Sequence, residues 1–247
     1  MKPTEPRSGT LLTRREMVAL TAGAAIAPSL IQAKENTLTP KAFVYTEVAI
    51  SIPFEQAPWP ELNEVIKKQP GFLNKTWLHG HGSGSVGGLY AFDSRENAID
   101  FVTGYFPTEP RAFGVAHNTR VFDAEVVQAA SEDLGSVHYG GMPEDNPGAF
   151  VYTELQLSQP FDEFDWSTRN AELKQTPGLQ SKTWLSGVST QTLGGFDAFD
   201  TLDAALDYAI NQFPAIAANV GAAFYTRVFD ATTTADASRQ MNSPFYL

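Results

Sequence analysis

The chain has 247 residues, 43% hydrophobic and 18% charged, with 28 acidic against 17 basic side chains and a formal net charge of -11. That composition can bury a real core, which excludes a disordered chain, and its acidity argues against nucleic acid or an anionic membrane as partner. There is no cysteine, so no disulfide framework supports it.

Residues 1–33 read as a signal peptide. Lys2, Arg7, Arg14 and Arg15 precede a small and apolar run over 17–31 that is too short and too rich in alanine and glycine to remain in a bilayer. Thr13-Arg14-Arg15-Glu16-Met17-Val18 resembles the twin-arginine pattern, which implies export to the periplasm. Cleavage is expected after Ala33, because Pro28 would follow the competing site at Ala25-Ile26-Ala27. The remainder then carries -13 and no membrane attachment.

After a linker over 34–41 the chain repeats itself. Ala42-Phe43-Val44-Tyr45-Thr46-Glu47 returns as Ala149-Phe150-Val151-Tyr152-Thr153-Glu154, and Lys75-Thr76-Trp77-Leu78 as Lys182-Thr183-Trp184-Leu185. Thr119-Arg120-Val121-Phe122-Asp123-Ala124 returns as Thr226-Arg227-Val228-Phe229-Asp230-Ala231. The offset is 107 throughout, and about 35 of 83 aligned positions are identical. The domains are therefore a first repeat over 42–140, a linker over 141–148 and a second repeat over 149–247.

Each copy reads in order as strand, helix, strand, strand, helix, strand. Residues 43–52 alternate β-branched and aromatic side chains until Pro53. A helix over 59–69 places Trp59, Leu62, Val65 and Ile66 on one face, and Pro70-Gly71 stops it. A strand over 72–79 puts Leu73, Lys75, Trp77 and His79 together. A glycine-rich connection over 80–88 leads to its partner at 89–92. Asp93 with Glu96, matched by Asp200 with Asp203, predicts a capping box opening a helix to about 106. The last strand spans 116–126. This βαββαβ order predicts an α+β fold of two tandem ferredoxin-like units, and a four-stranded sheet bare on one face needs a partner, so the two pack sheet to sheet. The order of the tail over 232–247 stays open, with Phe245 and Tyr246 able to swap onto a neighbour, and so does further self-association.

Pro53-Phe54, Gln69-Pro70-Gly71-Phe72-Leu73, Lys75, Trp77, Gly87-Gly88-Leu89-Tyr90-Ala91-Phe92 and Val121-Phe122-Asp123 together resemble the YdhR-like monooxygenase family of the dimeric α+β barrel superfamily. The second copy carries the same marks at Pro160-Phe161, Pro177-Gly178, Lys182, Trp184, Gly194-Gly195 and Val228-Phe229-Asp230. The resemblance implies a dimeric α+β barrel made within one chain, and an enzyme oxidising a small aromatic, phenolic or quinol compound with O2.

No nucleotide fingerprint, Walker loop, HExxH or nucleophile elbow is present. His79, His81, His117 and His138 all lie in the first copy or the segment after it, with Ser186, Val188 and Phe224 opposite the first three, so histidine chemistry would be confined to one pocket. Neither metal nor cofactor is expected, His79-x-His81 being too few ligands for a site. A cofactor-independent oxygenase needs a base and an oxyanion partner in a dry pocket, here His79 or Tyr45 as base with Lys75 or Arg120 beside it. Trp77, Glu47, Tyr152, Trp184, Lys182 and Arg227 would line pockets between sheet and helices. The alternatives are solid core and inter-sheet ion pairs for these residues, and a non-catalytic binding protein for the whole.

Overall fold

A computed structural model describes residues 38–247 except 144, 158 and 247; the segment expected to be a signal peptide and most of the expected first linker lie outside them. The first repeat contributes β1 (Ala42–Val48), α1 (Trp59–Ile66), β2 (Phe72–His79), β3 (Val86–Phe92), α2 (Arg95–Asp100), α3 (Thr108–Phe113), β4 (His117–Asp123) and α4 (Gln128–Asp133). The second contributes β5 (Ala149–Gln156), α5 (Trp166–Leu173), β6 (Leu179–Gly187), β7 (Thr192–Phe199), α6 (Leu202–Asp207), α7 (Phe213–Asn219), β8 (Phe224–Asp230) and α8 (Ala235–Gln240). One π-helical turn follows α2 at Phe101–Tyr105 and another follows α6 at Tyr208–Gln212.

The eight strands run antiparallel in the order β2-β3-β1-β4-β6-β7-β5-β8. β4 meets β6 through Phe122↔Gly187, and Gly80, just past β2, bridges Phe229 on β8. The backbone bonds Val188 N–H to Val121 O and His81 N–H to Val228 O repeat at the 107-residue offset. Both margins of the double sheet are thereby joined, which leaves no long unpaired edge among the described residues. Strand alternation sends Phe43, Tyr45, Phe122, Phe150, Tyr152, Phe196 and Phe229 into a core between the sheets, and Val44, Trp77, Tyr90 and Phe92 outward under the helices. This is the α+β arrangement of two ferredoxin-like units, formed inside one chain.

Several local expectations change. A bulge between Phe72 and Asn74 turns Leu73 into the inter-sheet core, opposite to Lys75, because one extra residue flips the alternation. Ser94, not Asp93, caps α2 by accepting from the Asn97 N–H, and Thr201 does the same for α6. On α1 the inward residues are Asn63 and Ile66, while Val65 is 44% exposed. β4 ends at Asp123, whose Oδ1 accepts from the backbone N–H of Glu125.

The sequence reading also lacked the closing helices, which cross over. Val127, Ala130 and Leu134 around α4 pack into the second repeat's outer core, and Ala237 and Met241 from α8 into the first's. Ser238 Oγ accepts from Trp77 N–H at 2.9 Å, and Thr234 Oγ1 donates to Trp77 O. The tail over 232–246 folds inward, with Phe245 and Tyr246 buried in the inter-sheet core.

Candidate functional site

The sheet divides the expected site residues into two groups that cannot meet. Tyr45, Glu47, Tyr152, Arg120 and Arg227 lie between the sheets. Lys75 and Trp77, with Lys182 and Trp184, lie on the outer faces beneath the helices. A joint Tyr45 and Lys75 site is therefore excluded, since the two side chains leave opposite faces of one sheet.

Between the sheets the tyrosines stack at the pseudo-twofold axis, with Tyr45 and Tyr152 ring centroids 4.1 Å apart and planes 5° from parallel. Tyr45 Oη donates to Glu47 Oε2 at 2.9 Å and Ser85 Oγ to Glu47 Oε1 at 2.5 Å. Arg227, from the other repeat, donates to the same carboxylate from Nε at 3.0 and 3.2 Å and from Nη2. Burial alone would raise the Glu47 pKa, but the hydrogen bonds from Arg227 and Ser85 outweigh it and hold it below the usual value. Burial and the Glu47 charge push the Tyr45 phenol well above its normal pKa, so Tyr45 is a proton donor in the core and not a base. Glu154 receives Tyr152 Oη and, at 3.3 Å, Arg120 Nε in the mirrored arrangement. These residues are the ion-paired seam of the two repeats.

Beneath the helices of the first repeat is a small cavity of about 40 Å³, lined by Thr46, Lys75, Trp77, Tyr90, Glu109 and apolar residues from Val48 to Leu62. Lys75 is 1% exposed, with Nζ 2.8 Å from the Trp77 ring centroid and 4.6 Å from that of Tyr90. Among the described residues no carboxylate lies within 4 Å of it. Burial drives its ammonium pKa well below the usual lysine value, and the more distant Glu109 charge opposes this only in part. Burial disfavours the ammonium form, and the cation–π contacts with Trp77 and Tyr90 offset this only in part. Gly88 makes the placement available: a Cβ there would lie 2.5 Å from Lys75 Cε. Thr46 Oγ1, on the same cavity, is buried without a partner.

The second repeat has the same lysine in a different state. Asp197 replaces Tyr90 and accepts from Lys182 Nζ at 2.6 Å, both side chains being almost fully buried. Burial pulls both toward their neutral forms and each partly restores the other's charge. Phe164 replaces Ala57 and packs edge-on against Trp184 at 5.6 Å, while Ile216 replaces Glu109 and packs on the same core. Thr153 Oγ1 reaches Gly195 O, unlike its counterpart Thr46. In both repeats the indole N–H is fixed by an asparagine, Trp77 to Asn63 and Trp184 to Asn170.

His79 does not reach the amine. Its Nε2–H donates to Ile52 O at 3.1 Å, pinning the segment that covers the cavity. His81 is exposed, and no cluster of three or more metal-ligating side chains occurs among the described residues. His117 lines a separate open depression beside Glu47, Tyr225 and Arg227. The sequence reading missed Thr46, Tyr90 and Glu109. Their signal lay in the difference between copies, Tyr90 against Asp197 and Glu109 against Ile216, and not in the residues that the copies share.

Residues 48–132 match the family model described as "Putative mono-oxygenase ydhR". An anthrone oxidase-like protein superposes with a TM-score of 0.53 at 15% identity, covering 79% of this chain and 92% of its own. That level of identity establishes a shared fold alone. A putative monooxygenase of Fusobacterium nucleatum aligns at TM-score 0.46 and 11% identity over 78% of this chain and 92% of its own. A mutant chlorite dismutase of Candidatus Nitrospira defluvii aligns at TM-score 0.46 and 8% identity over 86% of this chain and 99% of its own. No curated protein matches the chain.

Proposed function

We propose that this chain, whose first repeat is a ydhR-family unit, is an exported monooxygenase that oxidises a small planar phenol or quinol with O2 and needs no added cofactor, and that the first repeat alone carries the reaction. The observation behind it is the buried, unpaired amine of Lys75 on an aromatic floor, set against a Lys182 neutralised by Asp197.

The substrate ring lies against Trp77, and the neutral Lys75 amine accepts the phenolic proton. The resulting ammonium stays beside the phenolate, so the charge pair forms where no counter-ion stood before. The phenolate passes one electron to O2, and the substrate radical and superoxide combine at a C–H carbon. The peroxide takes its proton back from Lys75 and loses water, leaving a carbonyl. One oxygen atom enters the product and the other leaves as water.

A cavity of 40 Å³ holds only one or two waters, so the covering segment over 49–58 must move to admit a ring. Releasing the His79 to Ile52 bond is the hinge-side step. Oxygen uptake by the mature protein over a panel of quinols tests the reading. Lys75→Met should lower kcat/KM by about 10² to 10⁴, while the paired change Lys182→Met with Asp197→Leu should leave it within a few-fold. Tight quinol binding with no uptake would instead make the chain a binding protein. Export is tested by fractionation, with Arg14→Lys and Arg15→Lys together holding the protein in the cytoplasm.

A further inference from the structure

The cavity supports a chemistry that the oxygen reaction does not use. An amine without a counter-ion, surrounded by apolar walls and two rings, is shifted toward the neutral form whose lone pair is nucleophilic. Beside the Tyr90 phenol, the cavity is lined by Thr46 Oγ1, for which no hydrogen bond of good geometry is formed, and by Glu109, to which Tyr105 Oη donates at 2.6 Å. Tyr105 belongs to the π-helical turn after α2, and the second repeat has Gln212 and Ile216 at the two equivalent positions. The lysine and the threonine recur as Lys182 and Thr153, but their combination with Glu109 and Tyr105 is confined to the first repeat.

The geometry points to Lys75 as a nucleophile toward small carbonyl compounds, an aldehyde or unhindered ketone being held as an imine on Nζ. The nitrogen lone pair attacks the carbonyl carbon, and the C=O π pair moves to oxygen, which Thr46 Oγ1 hydrogen-bonds. One Nζ proton passes to that oxygen, giving a carbinolamine. The C–O bond then breaks as the second Nζ proton, relayed by Glu109, completes a water molecule and the nitrogen pair closes C=N. The carbonyl compound and amine give imine and water, with nothing oxidised or reduced. The inference shares the site of the proposed oxidation but is independent of that reaction.

The test is reductive trapping in the full mature protein at pH 7, with acetaldehyde and sodium cyanoborohydride followed by peptide mapping. Lys182 is the internal control, with the same strand position and tryptophan neighbour but an aspartate on its Nζ. Lys75 should acquire its ethyl group at least roughly tenfold faster than Lys182 and than the exposed Lys41, Lys67 and Lys174, as expected for a desolvated amine against ion-paired or solvated ones. Labelling confined to exposed lysines, or Lys75 modified no faster than Lys182, would overturn the inference. Glu109→Gln should slow trapping at Lys75 several-fold and leave the exposed lysines unchanged; an unchanged Lys75 rate would remove Glu109 from the step. Lys75 trapping in a protein that consumes no oxygen with quinols would uphold this inference and overturn only the oxidation.

Discussion

Single residues in this protein trade stability for chemistry in ways that can be measured. Lys75 gives up its hydration and gains no ion pair, so its neutral folded form disfavours folding wherever the unfolded side chain is charged. Its folded pKa is depressed, so this penalty shrinks as pH rises toward the normal lysine value and is largest below the folded one. Lys75→Met should therefore inactivate the proposed enzyme yet raise Tm at pH 7, by about 2–4 °C for each kcal/mol recovered, in a calorimetric scan. Lys182 behaves oppositely. Asp197→Asn would strand its charge in the core and cost about 3–5 kcal/mol in denaturant unfolding, while Lys182→Met with Asp197→Leu should be near neutral. His138 is buried between Phe43 and Phe245 with both ring nitrogens unpartnered, and burial lowers its pKa to about 3. Because the unfolded imidazole takes a proton near pH 6.5, stability falls as pH drops from about 6.5 toward 3, by up to about 1.4 kcal/mol per unit. His138→Phe copies Phe245 at the equivalent position, and it should flatten this fall in acid unfolding curves.

At the scale of elements, the hairpin loops show how the copies have diverged. In the first repeat Gly82 and Gly84 hold the left-handed backbone between β2 and β3, and in the second Ser189 and Gln191 adopt the same positive φ of 61° and 52°. Non-glycine residues there carry strain of roughly 1–3 kcal/mol, partly repaid by a stiffer unfolded chain. Gln191→Gly should stabilise by about 0.5–1 kcal/mol in chemical denaturation, whereas Gly82→Gln should cost about as much. Strand content, the glycine connection and the βαββαβ order were legible because alternation and turn residues are local signals. The bulge at Phe72 and Asn74 was not, since an inserted strand residue leaves no mark in composition. Nor was α4, a six-residue helix stabilised by packing on the other repeat, beyond the reach of local propensity.

For the whole molecule the crossing of α4 and α8 makes the two repeats one cooperative unit. The strand carrying Lys75 and Trp77 is covered by α8 from the far end of the chain, through Ser238, Thr234 and Met241. Residues 42–140 expressed alone should consequently fail to fold as a soluble monomer. The full chain should unfold in one transition, with tryptophan fluorescence and far-ultraviolet circular dichroism superimposing. Two separated transitions would show that the repeats are independent. The shared core explains the expectation, because Tyr45, Tyr152, Phe245 and Tyr246 have no other place to be buried.

The sequence by itself determined the duplication, the strand order of each unit, and the need for one bare sheet to cover another, since periodicity and a fixed 107-residue offset are properties of the chain read alone. It also put Tyr45 with Glu47, and Lys75 with Trp77, through strand parity. Only the tertiary structure decided which pair faces a cavity and which is locked in the seam, because both patterns are the same until the sheet's two faces acquire different neighbours. The difference between Lys75 and Lys182 was likewise settled in three dimensions, by whether the adjoining strand brings tyrosine or aspartate to the nitrogen.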